Sequence, residues 1–207
     1  MYTHQKQVTT AGASLARAKG ALVLLHGRGG TARNIISLAS EFSLTDFAIL
    51  APQATNQSWY PYSFMAPVEE NQLALDSALE VIEQTVEDII SAGVPADKIY
   101  FAGFSQGACL TLEYIARNAK RFGGAVAFTG GLIGKKLELS NYRGDFAGIP
   151  ILISTGDPDP HVPLSRVEES ISVLKNLGAE VTLKVIKGRP HTILHEEIEL
   201  ANQLIFA

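Results

Sequence analysis

A serine between two glycines is the residue of this chain best suited to chemistry. The stretch Gly103-Phe104-Ser105-Gln106-Gly107 matches the pattern G-x-S-x-G and joins an apolar run to a stretch with helical spacing. A sharp strand-to-helix turn strains the serine backbone and projects its hydroxyl above the sheet, where the helix N-terminus favours negative charge. Flanking glycines remove side chains that would clash there. Ser105 is therefore a candidate nucleophile, although serine is also a preferred helix N-cap and the motif alone allows that role.

A serine hydroxyl is a weak nucleophile unless a base accepts its proton, and histidine is the usual base. Where a serine occupies this kind of turn, the chain order is serine, acid, histidine. Three of the five histidines follow Ser105. His191 lies in the loop after the last predicted strand, whereas His195 lies at the start of the last helix and could simply pair with Glu199. We favour His191 as the base and place His161 at the rim of the pocket.

Two aspartates are candidates for the acid that orients this histidine. The stretch STGDPDPHVP, residues 154–163, begins at the end of a predicted strand and contains Asp157 and Asp159. Each precedes a proline, which favours an extended backbone at the aspartate. Aspartate and proline are also common in plain polar turns. The pattern therefore places an acid at this strand end but leaves the choice between the two open.

Charge that develops on a substrate carbonyl oxygen is stabilised by backbone N–H donors. One expected donor is the residue after the nucleophile, Gln106, and the other comes from the loop after an early strand. The stretch LLHGRGG, residues 24–30, is such a loop, and the donor position after His26-Gly27 is Arg28. A plain glycine-rich turn is the alternative. The loop matches neither the P-loop pattern nor the dinucleotide fingerprint.

Predicted strands and helices alternate along the chain. Apolar runs predict strands at 21–27, 47–52, 98–104, 123–131, 149–156 and 180–188, and helical spacing predicts helices at 35–42, 69–92, 106–118, 163–177 and 194–206. Several strands are apolar at every position, which is typical of parallel strands covered by helices on both faces. We expect a single α/β domain, residues 1–207: a three-layer sandwich with a mostly parallel sheet, and residues 1–19 as an N-terminal arm or an edge strand. Ligands of such sheets bind beyond the carboxyl ends of the strands.

The composition excludes several classes of protein. The chain has 207 residues, 46% of them hydrophobic and 18% charged, and a net charge of −4, which does not favour binding to nucleic acid. Its longest apolar run is too short to span a bilayer, and its N-terminus lacks the apolar segment of a secretory signal. The one cysteine, Cys109, cannot form an internal disulfide. We therefore expect a cytoplasmic protein without stable membrane insertion, as a monomer or a homodimer.

Four stretches resemble the signatures of the phospholipase/carboxylesterase family, a branch of the α/β-hydrolase superfamily that includes small bacterial carboxylesterases and acyl-protein thioesterases. They are LLHGRGG (24–30), FAGFSQG (101–107), STGDPDPHVP (154–163) and GRPHTILHEEI (188–198). The resemblance implies an α/β-hydrolase sandwich that covers nearly the whole chain. The chain has no insertion long enough for a large lid.

The resemblance also assigns roles to single residues. It implies that Ser105 is the nucleophile and that His191, which lies shortly before an acidic helix start, is the base. The family's acid lies in a G-x-x-D-x-x-V-P turn, which selects Asp159 over Asp157.

The implied reaction is the hydrolysis of small carboxylic esters or thioesters through a serine acyl-enzyme, without a metal or an organic cofactor. The implied oxyanion donors are the N–H groups of Arg28 and Gln106. Longer acyl chains, as in acyl-protein thioesterase or lysophospholipase activity, are the alternative substrates. A non-catalytic ligand-binding protein on the same fold is a further alternative.

The aromatic stretch WYPYSFM, residues 59–65, departs from the family pattern, which often has Trp-Phe-Asp or a relative at this place. We expect this stretch, and Trp59 and Tyr60 in particular, to line the substrate pocket together with His161, because small-molecule sites are mostly apolar with a few placed polar groups. A hydrophobic plug that covers the sheet edge is the alternative role for these aromatic residues.

Overall fold

The structure is a computed structural model that describes residues 2–206. The strands in this range are β1 (Val8–Gly12), β2 (Gly20–Leu25), β3 (Phe47–Pro52), β4 (Ile99–Phe104), β5 (Gly124–Phe128), β6 (Pro150–Asp157) and β7 (Glu180–Lys187). They form one sheet in the order β1-β3-β2-β4-β5-β6-β7, in which β1 pairs antiparallel with β3 and all other neighbours are parallel. The mostly parallel α/β architecture predicted from the sequence is confirmed.

Helices cover both faces of this sheet. Within the described residues the α-helices are α1 (Ala32–Ile35), α2 (Val68–Ser91), α3 (Gln106–Arg117), α4 (Leu164–Asn176) and α5 (His195–Leu204). Helices α2, α3 and α4 pack on one face, whereas α1 and α5 pack on the other. The sheet is therefore the middle of three layers.

The central strands are apolar at every position because both of their faces are buried. In β2, the side chains of Ala21, Val23 and Leu25 belong to the core on the α2–α4 face, and those of Leu22 and Leu24 belong to the core on the opposite face. All five residues have no exposed surface. Burial on this scale is the main favourable term in folding and holds the strand ends in fixed positions.

Two segments differ from a simple reading of the sequence. The N-terminal segment contains an edge strand, β1, which was one of the two expected alternatives. Its residues VTTAG are partly or fully exposed and do not form an apolar run, so the sequence did not mark them as a strand. The helix predicted at 35–42 is instead the short α1 followed by a 3-10 helix at Ile36–Glu41.

The carboxyl ends of β2, β4, β6 and β7 lead into the four loops that contain the predicted nucleophile, base, acid and oxyanion donors, and Trp59 and Tyr60 lie in the loop after β3. Because these strands are parallel and lie close together in the sheet, the four loops meet at one edge. No large lid is present over this edge among residues 2–206. In the same range, no helix has the length and apolar character needed to cross a membrane.

Candidate active site

Ser105 occupies the tight turn between β4 and α3. Its backbone has a φ of 55° and a ψ of −118°, which is strained for a residue with a side chain. A Cβ atom on Gly103 would collide with the carbonyl of Gly107, and a Cβ atom on Gly107 would collide with the carbonyl of Leu25. The two glycines therefore allow the close approach of β4, α3 and the end of β2 that holds Ser105 in this turn.

The side chain of Ser105 is directed at His191 and not at the helix behind it. Its Oγ lies 2.8 Å from Nε2 of His191. Ser105 stands at the N-cap position of α3, but its side chain makes no capping hydrogen bond. The hydroxyl is therefore placed to give its proton to the imidazole.

Asp159 contacts the other nitrogen of the same imidazole. Its Oδ2 lies 2.9 Å from Nδ1 of His191, and its Oδ1 accepts hydrogen bonds from the backbone N–H groups of His161 and Val162 at 2.9 and 3.0 Å. Burial would raise the pKa of this carboxyl, but the hydrogen bonds from His191 and the two N–H groups outweigh it and hold the pKa below its usual value. The carboxylate therefore favours the tautomer with Nδ1 protonated, which leaves Nε2 free to accept the proton of Ser105.

The competing candidates from the sequence lie elsewhere. Asp157 is the last residue of β6, and it is Asp159, two residues later, whose carboxylate contacts His191. The exposed imidazole of His195 lies 3.4 Å from the carboxylate of Glu199, one turn along α5. The structure thus brings Ser105, His191 and Asp159 together.

The two expected oxyanion donors lie at the same cavity as Ser105. Arg28 follows β2, and Gln106 is the first residue of α3, where a backbone N–H has no partner within the helix. Within residues 2–206, neither N–H donates to another protein group. Two free N–H groups beside Ser105 form an arrangement that can stabilise a negatively charged oxygen.

A cavity of about 520 Å³ opens in front of Ser105. Its lining includes Tyr60 and His161, and also four other residues of the aromatic stretch at 59–65: Pro61, Tyr62, Ser63 and Phe64. Phe104, Pro160 and Val162, to which the sequence gave no role, line it as well. The ring of His161 meets the ring of His191 edge-on, with centroids 4.9 Å apart. Cys109 also borders the cavity, but burial raises the pKa of its thiol to about 12, so it stays protonated and is a poor nucleophile.

Trp59 does not line the cavity, in contrast to the expectation from the sequence. It is fully buried, its Nε1 donates to the carbonyl of His26 at 2.9 Å, and its ring packs against the His26 ring at 5.0 Å. The indole N–H needs a partner when buried, and the carbonyl of His26 supplies one. Trp59 is thus a buried support behind the cavity wall, closer to the alternative of a hydrophobic plug.

The side chain of Arg28 contacts the segment at residues 58–62, which we call the wall loop because its second half borders the cavity. Its Nη1 donates to the Ser58 hydroxyl at 3.1 Å and to the Pro61 carbonyl at 2.8 Å, and its Nη2 donates to the Tyr62 carbonyl at 2.6 Å. Sequence reasoning treated Arg28 only as a backbone donor. No spacing in the sequence indicates that the side chain of Arg28 reaches residues 30 to 34 positions away.

A second arginine, Arg189, holds the loop that contains His191. Its guanidinium group is fully buried, lies 3.3 Å from the carboxylate of Glu197 in α5, and donates to the Thr192 carbonyl and to the hydroxyl of Thr129 after β5. The side chain of Glu197 is also fully buried and accepts the backbone N–H of Leu194 at 2.8 Å. These contacts fasten residues 188–194, which we call the histidine loop, to α5 and to the end of β5. Sequence reasoning missed them.

Several known proteins are similar to this chain. A crystal structure of a phospholipase/carboxylesterase from Dyadobacter fermentans DSM 18053 is 60% identical, with a TM-score of 0.99 over 100% of this chain and 99% of that chain. The crystal structure of esterase PE8 is 26% identical, with a TM-score of 0.77 over 94% of this chain and 95% of that chain. The acyl-protein thioesterase 1 homolog 1 of Dictyostelium discoideum is 26% identical over 97% of this chain and 92% of its own length.

The chain also matches a whole protein family, in addition to these individual proteins. The family described as Phospholipase/Carboxylesterase matches residues 7–206, a range that includes Ser105, His191 and Asp159. The structural neighbours agree with an α/β-hydrolase fold. The chain therefore belongs to the phospholipase/carboxylesterase family of the α/β-hydrolase superfamily and is a serine ester hydrolase of the carboxylesterase and thioesterase type.

Proposed function

We propose that the protein hydrolyses small carboxylic esters or thioesters through an acyl-enzyme on Ser105, with His191 as the base and Asp159 as the acid that orients it. The observation that carries the proposal is the continuous series of contacts from Ser105 Oγ through His191 to Asp159 at a cavity of about 520 Å³. A cavity of this volume suits a small molecule.

In the first half of the reaction, Oγ of Ser105 attacks the substrate carbonyl while its proton moves to Nε2 of His191. The carbonyl oxygen becomes an oxyanion that accepts hydrogen bonds from the N–H groups of Arg28 and Gln106. His191 then protonates the leaving alcohol or thiol, which departs and leaves an ester on Ser105. In the second half, His191 takes a proton from water while the water oxygen attacks the ester carbonyl. The bond between the acyl group and Oγ of Ser105 then breaks, His191 returns the proton to Oγ, and the acid is released.

Asp159 acts on the imidazole and not on the substrate. While Nε2 carries the serine proton, His191 is positively charged, and the carboxylate 2.9 Å from Nδ1 stabilises that charge. The N–H groups of His161 and Val162 hold the carboxylate in place through Oδ1. No step in this sequence uses a metal or an organic cofactor.

The test is the hydrolysis of p-nitrophenyl acetate, butyrate, octanoate and laurate by the wild type and by Ser105→Ala. We expect hydrolysis of the short esters by the wild type and a rate close to that of buffer for Ser105→Ala. Ser172→Ala, an exposed serine on α4, is the matched control and should retain wild-type activity. Equal activity of Ser105→Ala and the wild type, with both proteins folded, would reject Ser105 as the nucleophile.

Acyl-protein thioesterase or lysophospholipase activity on longer acyl chains is the second candidate. It is favoured by the similarity to the Dictyostelium discoideum acyl-protein thioesterase homolog across 97% of this chain. The same ester series separates the two. Rates that rise towards octanoate would favour the long-chain activity, and rates confined to acetate and butyrate would favour the small esterase.

A further inference from the structure

We propose that the side chains of Arg28 and Gln106 position the oxyanion hole by fastening it to the wall loop, so that the wall of the cavity and the two N–H donors are held as one unit. The inference rests on the proposed function, which uses only the backbone N–H groups of these two residues. It adds a role for their side chains and for residues 58–62.

Arg28 holds the wall loop through its guanidinium group. The group bridges the Ser58 hydroxyl, the Pro61 carbonyl and the Tyr62 carbonyl at 3.1, 2.8 and 2.6 Å. A planar guanidinium presents several N–H donors in a fixed fork, so it can bind three separate oxygens where a lysine ammonium cannot match the geometry. Its partners are neutral oxygens of one short segment, which is the pattern expected of a side chain that fixes a loop.

Gln106 holds the same loop at the backbone of Trp59 and Tyr60. It is 6% exposed; its Oε1 accepts the backbone N–H of Trp59 at 2.8 Å, and its Nε2 donates to the carbonyl of Tyr60 at 2.8 Å. Both ends of the amide are therefore used, and they pair with two consecutive residues of the wall loop. A flipped amide would place like groups against each other at both contacts.

The two fastenings join elements that are distant in sequence. Arg28 follows β2, Gln106 begins α3, and the wall loop lies between β3 and α2. Each residue that binds the loop through its side chain also lines the cavity, and its backbone N–H has no protein acceptor among residues 2–206. Movement of the loop is thus transmitted to the positions of both donors.

This coupling predicts a particular kinetic effect. Oxyanion donors stabilise the transition state only when they lie about 2.7–3.1 Å from the developing charge, and a misplacement of about 1 Å can cost about 100-fold in rate. Substrate binding in the ground state depends on the donors much less. Loss of either fastening should therefore lower kcat and leave KM nearly unchanged.

The experiment uses Arg28→Met, Arg28→Ala and Gln106→Met, which all retain the backbone N–H. With p-nitrophenyl butyrate we expect kcat to fall about 10- to 100-fold and KM to change less than about threefold. The matched control is Arg33→Met, an exposed arginine on α1, which should keep the wild-type kcat. Circular dichroism and thermal unfolding establish that each variant is folded.

Three further measurements separate positioning from a general structural loss. The double variant Arg28→Met/Gln106→Met should lose less than the product of the two single losses, because both act through one loop. Millimolar guanidinium should restore part of the kcat of Arg28→Ala and none of that of Gln106→Met. The Ki of a trifluoromethyl ketone, whose adduct with Ser105 places an oxyanion in the hole, should rise by the same factor by which kcat falls.

The opposite results would overturn the inference. A raised KM with unchanged kcat would mean that the two side chains bind substrate directly, and fully multiplicative losses would mean that they act independently. If Gln106→Met fails to fold, the Arg28 variants and the guanidinium rescue decide the matter alone. An inactive Ser105→Ala together with unchanged kcat in the Arg28 and Gln106 variants would reject this inference only, whereas an active Ser105→Ala would reject the proposed function.

Discussion

Two arginines, Arg28 at the cavity and Arg189 in the loop of His191, hold different loops in different surroundings. Arg28 is exposed and binds the neutral oxygens of the wall loop. Arg189 is 3% exposed and forms an ion pair with the buried carboxylate of Glu197. The same residue type therefore fastens the histidine loop through a buried charge pair and the wall loop through hydrogen bonds near solvent.

The difference matches what each loop has to do. Losing one member of a buried ion pair leaves an uncompensated charge and is strongly destabilising, whereas losing a partly solvated contact costs much less. The base must occupy one position for every substrate, and the histidine loop is held accordingly. The wall loop borders the cavity in which the proposed function places the substrate, and its fastening can be altered at a lower cost in stability.

The largest effect should come from the acid on the histidine side. We expect Asp159→Asn to lower kcat about 10⁴-fold, because an amide that donates to Nδ1 favours the tautomer that cannot accept the serine proton. The measurement is p-nitrophenyl butyrate hydrolysis, with Asp157→Asn in the same turn as the control. An equal loss in Asp157→Asn would transfer the role of the acid to that residue.

The next largest effect should be on the stability of the histidine loop. Arg189→Met should lower the free energy of unfolding by about 3–5 kcal/mol, because Glu197 remains buried without its partner. The double variant Arg189→Met/Glu197→Gln should recover most of this loss, since the buried charge is then absent. Urea denaturation measures both values, and a loss below about 1 kcal/mol in the single variant would show that the pair does little to hold the fold.

In contrast to Arg189→Met, Arg28→Met should change the stability little and the rate of hydrolysis more. We expect it to lower the free energy of unfolding by only about 1 kcal/mol, since its hydrogen bonds are exchanged for bonds to water, while kcat falls as described above. The same urea experiment allows a direct comparison with Arg189→Met. Equal losses of stability in the two variants would remove the distinction between the two loops.

The smallest effect should be a loss of stability in mild acid through His26 and His4, which pack against Trp59 of the wall loop. Burial lowers the pKa of His26 and of His4, and the imidazole of His26 accepts the N–H of Ala54, so both are neutral in the folded protein. As the pH falls through about 6.5, the unfolded chain binds protons that the folded chain does not, so stability should fall. Thermal unfolding between pH 7.5 and 5.5 measures this slope; it should be shallower in His26→Gln and unchanged in His195→Asn.

The buried histidines beside the wall loop and Asp159 beside His191 should also affect stability in different ranges of pH. The pKa of Asp159 lies below its usual value, so its contribution to stability is present above a pH of about 4 and is lost only as the pH falls further. A stability curve with one gradual step below pH 6.5 and a second below pH 4 would fit this assignment. A single step near pH 4 would contradict the contribution of the buried histidines.

Much of the fold could be predicted from the sequence because its central strands are buried on both faces. The apolar runs gave the strands at Phe47–Pro52 and Ile99–Phe104 to within a residue. The edge strand Val8–Gly12 is polar and partly exposed, so only its pairing with β3 defines it. The segment after Thr31 has helical spacing, but the 3-10 geometry of Ile36–Glu41 cannot be recognised from that spacing.

The candidate site was predictable where its chemistry restricts the residue types. Ser105, His191 and an acid at 157 or 159 were placed at strand ends by motif and chain order, and the resemblance to the family selected Asp159. Their catalytic roles stay predictions until the variants are assayed. Trp59 was predicted to line the cavity because an aromatic residue type indicates burial, but it does not indicate whether the ring faces the cavity or the core behind it. Charged residues are mostly exposed, so nothing in the sequence indicated that Arg189 would be buried.

The wall loop is fastened by its backbone, which has a practical consequence for engineering substrate range. Arg28 binds the carbonyls of Pro61 and Tyr62, and the side-chain amide of Asn71 binds the N–H of Tyr62 and the carbonyl of Ser63. Every amino acid supplies a backbone carbonyl, and every one except proline supplies a backbone N–H, so a combinatorial library that randomises position 62 without proline, together with position 63, keeps these attachments while it reshapes the entrance. Directed evolution of new specificities can therefore begin at this segment with a high fraction of folded clones.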